Sequence, residues 1–177
     1  IKMLDLKPKA DFQRTTPMTI SRGDNIPSVT LTIMGSEGPE GLSTDSLFNG
    51  KKVAIFGVPG AFTPTCSAKH LPGFVQHASA IKAKGVDTIA CISVNDVFVM
   101  GAWGQDQNIG DNVLMVADGS AKFAEAVGLI LDLSERGLGI RCQRFAMLVD
   151  DGIVQSIHID EGTFEKTSAE QMLSELT

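Results

Sequence analysis

Apolar residues fall along this chain in short runs of two kinds, and the two kinds predict different elements. Continuous runs at 53–58 (VAIFGV) and 88–94 (TIACISV) have the pattern of inner strands covered on both faces of a parallel sheet. The run 28–34 (SVTLTIM) alternates and predicts a half-buried strand, followed by a Gly/Ser/Pro-containing loop over 35–41. Helical spacing predicts a helix over 66–84, closed by Lys84-Gly85, with Pro72 expected to kink or break its first turns. A helix at 97–107, a strand at 113–117 and a short helix at 121–127 follow. Residues 144–149 and 153–159 flank Asp150-Asp151-Gly152, whose Asp-Gly pair is a hairpin turn signal. Ser168 with Gln171 fits a capping box opening a last helix. The mixed, polar opening, residues 1–22, reads as an arm, leaving 23–177 as one domain. Alternating strands and helices, then a hairpin and a closing helix, predict an α/β fold with a mixed sheet and helices on both faces.

Composition narrows the function classes. At 177 residues and 43% hydrophobic, the chain has material for a substantial core, which excludes wholesale disorder. A formal charge of −6 and the lack of any Lys/Arg-rich run give no electrostatic reason to expect nucleic acid or an anionic membrane as partner. No apolar stretch approaches the ~20 residues of a membrane-spanning helix. The cysteines at 66, 91 and 142 form no CxxC and no even-numbered framework, which points to a reducing compartment. The three His and three Cys lie in no ligand spacing, so no metal site is read, and no cofactor. The chain opens on Ile1 rather than Met and its first fourteen residues lack the apolar core of a signal peptide. It therefore reads as trimmed upstream, in the cytoplasm or, if an organelle-targeting segment was removed, in a plastid or mitochondrion.

The candidate chemistry centres on Cys66. It follows an apolar strand and the Pro/Gly-containing loop 59–64, and stands where a helix begins. A helix N-terminus presents unpaired N–H groups and roughly half a unit of positive charge, which favours thiolate, the nucleophilic form. Thr63, three residues earlier, adds a hydroxyl as a donor. Arg141 and Arg144 lie in an otherwise strand-like stretch, unusual unless paired or functional. A guanidinium there could stabilise a thiolate and a developing oxyanion together, the other arginine then being the partner of an acidic residue. His70, at i+4 from Cys66, can share its face. Cys91, in mid-strand among apolar neighbours, reads as a small core residue, and Cys142 as structural.

The spacing Pro59-x-x-x-Thr63-x-x-Cys66, within PGAFTPTCSAKHLPGF (residues 59–74), resembles the active-site signature of the peroxiredoxins, in particular the peroxiredoxin 5 subfamily with the type II enzymes of plants. The resemblance continues in order through CISVNDVFVMGAW, ADGSAKF and GLGIRCQRFAMLVDDG, and covers roughly residues 20–177. It implies a thioredoxin-like fold and a thiol peroxidase that reduces hydrogen peroxide and alkyl hydroperoxides through a Cys66 sulfenic acid. It implies catalytic roles for Cys66, Thr63 and Arg144, a substrate pocket including Pro59, Thr65 and His70, and a homodimer. Cys91 matches a cysteine often given the resolving role in plant members. The segment 158–177 holds no cysteine, unlike some animal members, so the expected reductant is external: glutathione with glutaredoxin, or thioredoxin.

Two other enzyme classes fail on the residues. A thioredoxin-type oxidoreductase needs a second cysteine at position 69, which is Lys, and nothing around Cys66 and the histidines frames a Cys-His hydrolase. A peroxide sensor, in which Cys66 oxidation is the output, is the alternative that kinetics would separate.

Overall fold

A computed structural model of the chain describes residues 18–176. The apolar runs assemble one seven-stranded sheet whose strands lie side by side in the order 38–43, 30–35, 114–117, 88–93, 52–57, 144–150 and 153–160. Its centre is three parallel strands, β3 (Lys52–Gly57), β4 (Thr88–Ser93) and β5 (Leu114–Ala117). Antiparallel β8 (Arg144–Asp150) and β9 (Ile153–Asp160) extend one edge. On the other edge lie β1 (Thr30–Gly35) and β2 (Gly38–Ser43). Burial on both faces explains why β3 and β4 read as unbroken apolar runs. On one face Phe56, Cys91 and Leu148 pack under α2 (Leu71–Ala83), α3 (Val97–Asp106) and α5 (Ala169–Glu175). On the other, Val53, Ile55 and Met147 pack with Phe48 of α1 (Thr44–Phe48) and Phe123 of α4 (Lys122–Ala126).

Several expectations are met and several are changed. Asp151 and Gly152 both adopt positive φ, 48° and 77°, the type I′ geometry that matches strand twist. Ser168 accepts from the Gln171 N–H at 3.1 Å, but the Gln171 amide turns to Glu175, so only half of the box forms. The loop expected at 35–41 is a two-residue turn followed by β2. That strand has almost no strand-forming residues, and its pairing with β1 forms it. The helix expected over 66–84 is not uniform. Helical backbone starts at Pro64, widens to a π-turn at Cys66–His70 closed by Leu71 N–H to the Cys66 carbonyl, and becomes α2 at Leu71. Pro72, which has no N–H to donate, thus follows the π-turn at the start of α2, and the chain continues as helix past it.

The expected arm lies mostly outside the described residues. Its described part is attached: Ile20 is buried and donates its N–H to the Val127 carbonyl at 2.9 Å. A second sheet, unforeseen, pairs β6 (Ile130–Leu133) with β7 (Gly139–Cys142) through a 3-10 turn, Ser134–Arg136. The chain leaves this hairpin at Gln143 and enters β8 at Arg144, so Arg141 and Arg144 belong to different sheets.

Candidate active site

The site is built where the C-terminal ends of β3 and β4 meet the start of β8, a position at which open α/β sheets leave a crevice. The loop after β3 is held by several side chains. Ser93 Oγ and Cys142 Sγ both donate to the Val58 carbonyl, at 3.0 and 3.2 Å, and the Ala61 N–H donates to Asn95 Oδ1 at 2.9 Å. Arg141 donates to the carbonyls of Leu138 at 2.7 Å and Pro59 at 3.3 Å. It therefore clamps backbone and, among the described residues, lacks the acidic partner expected, because its donors are taken by these carbonyls. A Cβ on Gly60 would stand 2.7 Å from Arg141 Nη1, so a side chain there would push the guanidinium aside. Phe62 turns the chain with φ 62°, a costly conformation for an aromatic residue.

Thr63 then starts the helix: its carbonyl accepts from the Ser67 N–H at 3.0 Å, which puts the N–H of Cys66 in the first turn, ahead of any intrahelical acceptor. The Thr63 hydroxyl donates to the Gly60 carbonyl at 2.7 Å. Its hydrogen is engaged there, which leaves lone pairs on the oxygen and not the free donor expected from sequence. Cys66 is 1% exposed, and Arg144 Nη2 donates to its Sγ at 3.1 Å.

Arg144 is 8% exposed and is held by groups of its own. Nη1 donates to His70 Nδ1 at 2.8 Å, while His70 Nε2 lies 2.9 Å from the Thr167 carbonyl. A guanidinium can only donate and a carbonyl only accept, so the imidazole is the neutral Nε2–H tautomer. Burial first, and the Arg144 charge second, lower the His70 pKa from 6.5 to about 3. Thr167 is placed in turn by Asp160, paired across the strands with Arg144. Asp160 accepts from the N–H groups of Glu165, Lys166 and Thr167 and from the Thr167 hydroxyl at 2.8 Å. Burial acts to raise the Asp160 pKa, but these donors together hold it below the usual carboxylate range. The Phe164 ring lies 5.0 Å from His70, and Arg144 sits 5.8 Å over its centroid.

The cleft above is about 730 Å³, with Arg144 and Thr65 in its lining together with Pro59, Lys69, Arg136 and Phe164. Of the residues singled out from sequence, Arg144, Thr65 and Pro59 line this cleft, Cys66 and His70 are buried and bonded to Arg144, and Thr63 stands at the helix start. Cys91 does not reach the cleft. It is wholly buried in the middle of β4, and burial pushes its thiol well above the ordinary range. Burial likewise pushes Cys142 up to about 12. Sequence reasoning missed Asp160, Thr167, Phe164 and Asn95. Asn95, just past the end of a central strand, had a positional signal; Asp160 and Thr167 had none beyond turn-forming residues between them.

Comparison with known proteins finds relatives over most of the chain. The Redoxin family model matches residues 21–173. Peroxiredoxin-2E, chloroplastic, of Arabidopsis thaliana is 49% identical over 169 residues, covering 92% of this chain and 72% of the relative. Peroxiredoxin-2B of the same plant is 47% identical over 159 residues, covering 89% and 98%. Among solved structures, reduced Prx3 in complex with hydrogen peroxide from Vibrio vulnificus superposes with a TM-score of 0.87 at 47% identity, over 90% of this chain and all of that one.

Proposed function

Because the chain belongs to the peroxiredoxin family and is a thiol peroxidase, we propose that Cys66 is its peroxidatic nucleophile, with Arg144 and Thr63 as the groups that handle charge and proton around it. The thiolate attacks one peroxide oxygen, the O–O bond breaks, and the second oxygen leaves with negative charge and takes up a proton as water or alcohol. Arg144, fixed by His70, neutralises the thiolate before attack and the developing oxyanion during it. The Cys66 N–H adds a fixed dipole, and Thr63 Oγ receives the O–H of the bound hydroperoxide. Pro59 and Thr65 shape the pocket and His70 positions the guanidinium.

The observation that carries this reading is the 3.1 Å contact between a nearly buried guanidinium and a nearly buried thiol, with no carboxylate among the described residues bonded to either. External reduction of the sulfenic acid, by glutathione with glutaredoxin or by thioredoxin, is favoured by the burial of Cys91 and Cys142. The plant relatives named as chloroplastic support a plastid among the candidate compartments. Exposed rings at Phe62 and Phe98 are surface of the kind a second copy covers, in line with a homodimer. Peroxide consumption by Cys66→Ser and Cys142→Ser tests the assignment: the first should be inactive and the second largely active. Substantial peroxidase activity in the Cys66 variant would falsify it.

A further inference from the structure

One peptide group in the loop that carries Thr63 is bonded at both of its ends. The Ala61 N–H donates to Asn95 Oδ1 at 2.9 Å, and the Gly60 carbonyl, the other end of the same peptide, accepts from the Thr63 hydroxyl at 2.7 Å. This peptide therefore links the residues just past β4 to the start of the active-site helix. Ala61 is buried, and among the described residues its N–H has no other acceptor. An N–H can only donate, so the Asn95 amide must present its oxygen there. Ser93 fixes that orientation: its hydroxyl reaches Asn95 Oδ1 at 2.7 Å, nearer than the Val58 carbonyl at 3.0 Å. Val58 has the Cys142 thiol as a second donor at 3.2 Å, so the one Ser93 hydrogen can serve Asn95.

We propose that Asn95 is a positioning residue of the peroxidase reaction, acting through the 60–61 peptide on the Thr63 hydroxyl. The proposal rests on the reading of Thr63 Oγ as the acceptor of the hydroperoxide O–H. A hydroxyl has a single hydrogen, and its oxygen is free to accept from a reactant while that hydrogen points elsewhere. The Gly60 carbonyl holds the hydrogen elsewhere, and the Asn95 bond holds the carbonyl in place. Donation from the N–H end also polarises the peptide and makes its oxygen the stronger acceptor. Gly60 has no Cβ, so its own backbone does little to resist rotation of that peptide plane. Without the Asn95 oxygen a buried N–H is left unsatisfied, and the plane turns toward another acceptor. The carbonyl then leaves the Thr63 hydroxyl, whose freed hydrogen meets the hydroperoxide O–H donor to donor. Arg141 and Cys142 do not replace this hold, because they bind the carbonyls of Pro59 and Val58, one and two peptides earlier.

The test is a double-mutant cycle on the full chain, with Thr63→Val removing the hydroxyl at nearly constant shape. Stopped-flow measurement gives the rate of Cys66 oxidation by hydrogen peroxide, expressed per thiolate from the pH profile of Cys66 alkylation by iodoacetamide. Asn95→Ala should slow oxidation about fivefold to tenfold where Thr63 is present, and less than about twofold beside Thr63→Val. Alkylation per thiolate, which brings no hydroperoxide O–H to Thr63, should stay within about twofold of wild type in the Asn95 variants. Asn95→Asp keeps an oxygen for the Ala61 N–H and should recover most of the lost rate per thiolate. No slowing by Asn95→Ala, the same fold loss in both Thr63 backgrounds, an equal loss in alkylation, or an Asp variant as slow as Ala overturns the proposal. If Asn95→Ala does not fold, Ser93→Ala carries the cycle, since Val58 keeps its Cys142 donor. Its loss should be about threefold and confined to the background that has Thr63, and a loss equal in both backgrounds counts against the proposal in the same way. Oxidation of Thr63→Val at the wild-type rate would refute the Thr63 reading itself, and the proposal with it.

Discussion

His70 makes the stability of this fold depend on pH, by an amount its surroundings set. The ring is fully buried and neutral, bonded through both nitrogens to Arg144 and Thr167, and its pKa is lowered to about 3. The Asp160 charge and the Thr167 carbonyl act the other way but do not overcome burial and Arg144. In the unfolded chain the same ring titrates near its ordinary value of 6.5. Between those two values the unfolded state binds one more proton than the folded state, so stability rises with pH there and is lost as pH falls. At roughly 1.4 kcal/mol per pH unit, the loss is negligible at pH 7.5 and about 2 kcal/mol at pH 5. In His70→Asn the amide oxygen can replace Nδ1 as the acceptor for Arg144, and nothing at position 70 titrates. Urea unfolding of both proteins at the two pH values isolates the term, because the contacts His77–Glu170 and His158–Glu175 are common to both and cancel. The wild type should lose about 2 kcal/mol more than the variant on acidification. Equal losses would refute the argument.

Two further outcomes follow from the same geometry. Arg144→Gln should slow oxidation of Cys66 by peroxide about 10²–10³-fold in stopped-flow measurements, whereas Arg141→Gln, which removes only bonds to backbone carbonyls, should slow it less; the opposite order would exchange the roles of the two arginines. Cys91→Ser should keep most of its thiol-supported turnover, because Cys91 would have to leave the centre of β4 to meet Cys66. A dominant Cys66–Cys91 peptide after peroxide treatment, with a Cys91 variant that stalls after one turnover, would show the reverse.

What could be read from the sequence was whatever local pattern and burial jointly determine. β3 and β4 are buried on both faces and were visible as apolar runs, and the Asp151-Gly152 turn was visible because few other pairs accept two positive φ values. Cys66 and Thr63 lie within eight residues of Pro59, so their relation is local and a motif captures it. Elements formed by pairing alone were not visible: β2 exists because β1 supplies its partner, and the β6–β7 hairpin interrupts what seemed one strand-like stretch around Arg141 and Arg144. The support of Arg144 was hidden for the same reason. His70, Thr167 and Asp160 are far apart in sequence, and only the β8–β9 register and the docking of the 161–167 segment bring them to one guanidinium.

The π-turn fixes a length. Leu71, Phe74, Ala78 and Ile81 seat α2 on the sheet and set its rotation about its own axis. An α-helix advances about 100° per residue, and the five-residue turn at Cys66–His70 carries one residue more than an α-turn would. Deleting any residue between Cys66 and Leu71 would restore a regular helix, and with α2 held by its seat the whole rotation would fall on Cys66. The sulfur would swing by about 100° about the helix axis, off the line to Arg144. The segment can change its side chains more freely than its count, because the count sets the direction in which the thiol points.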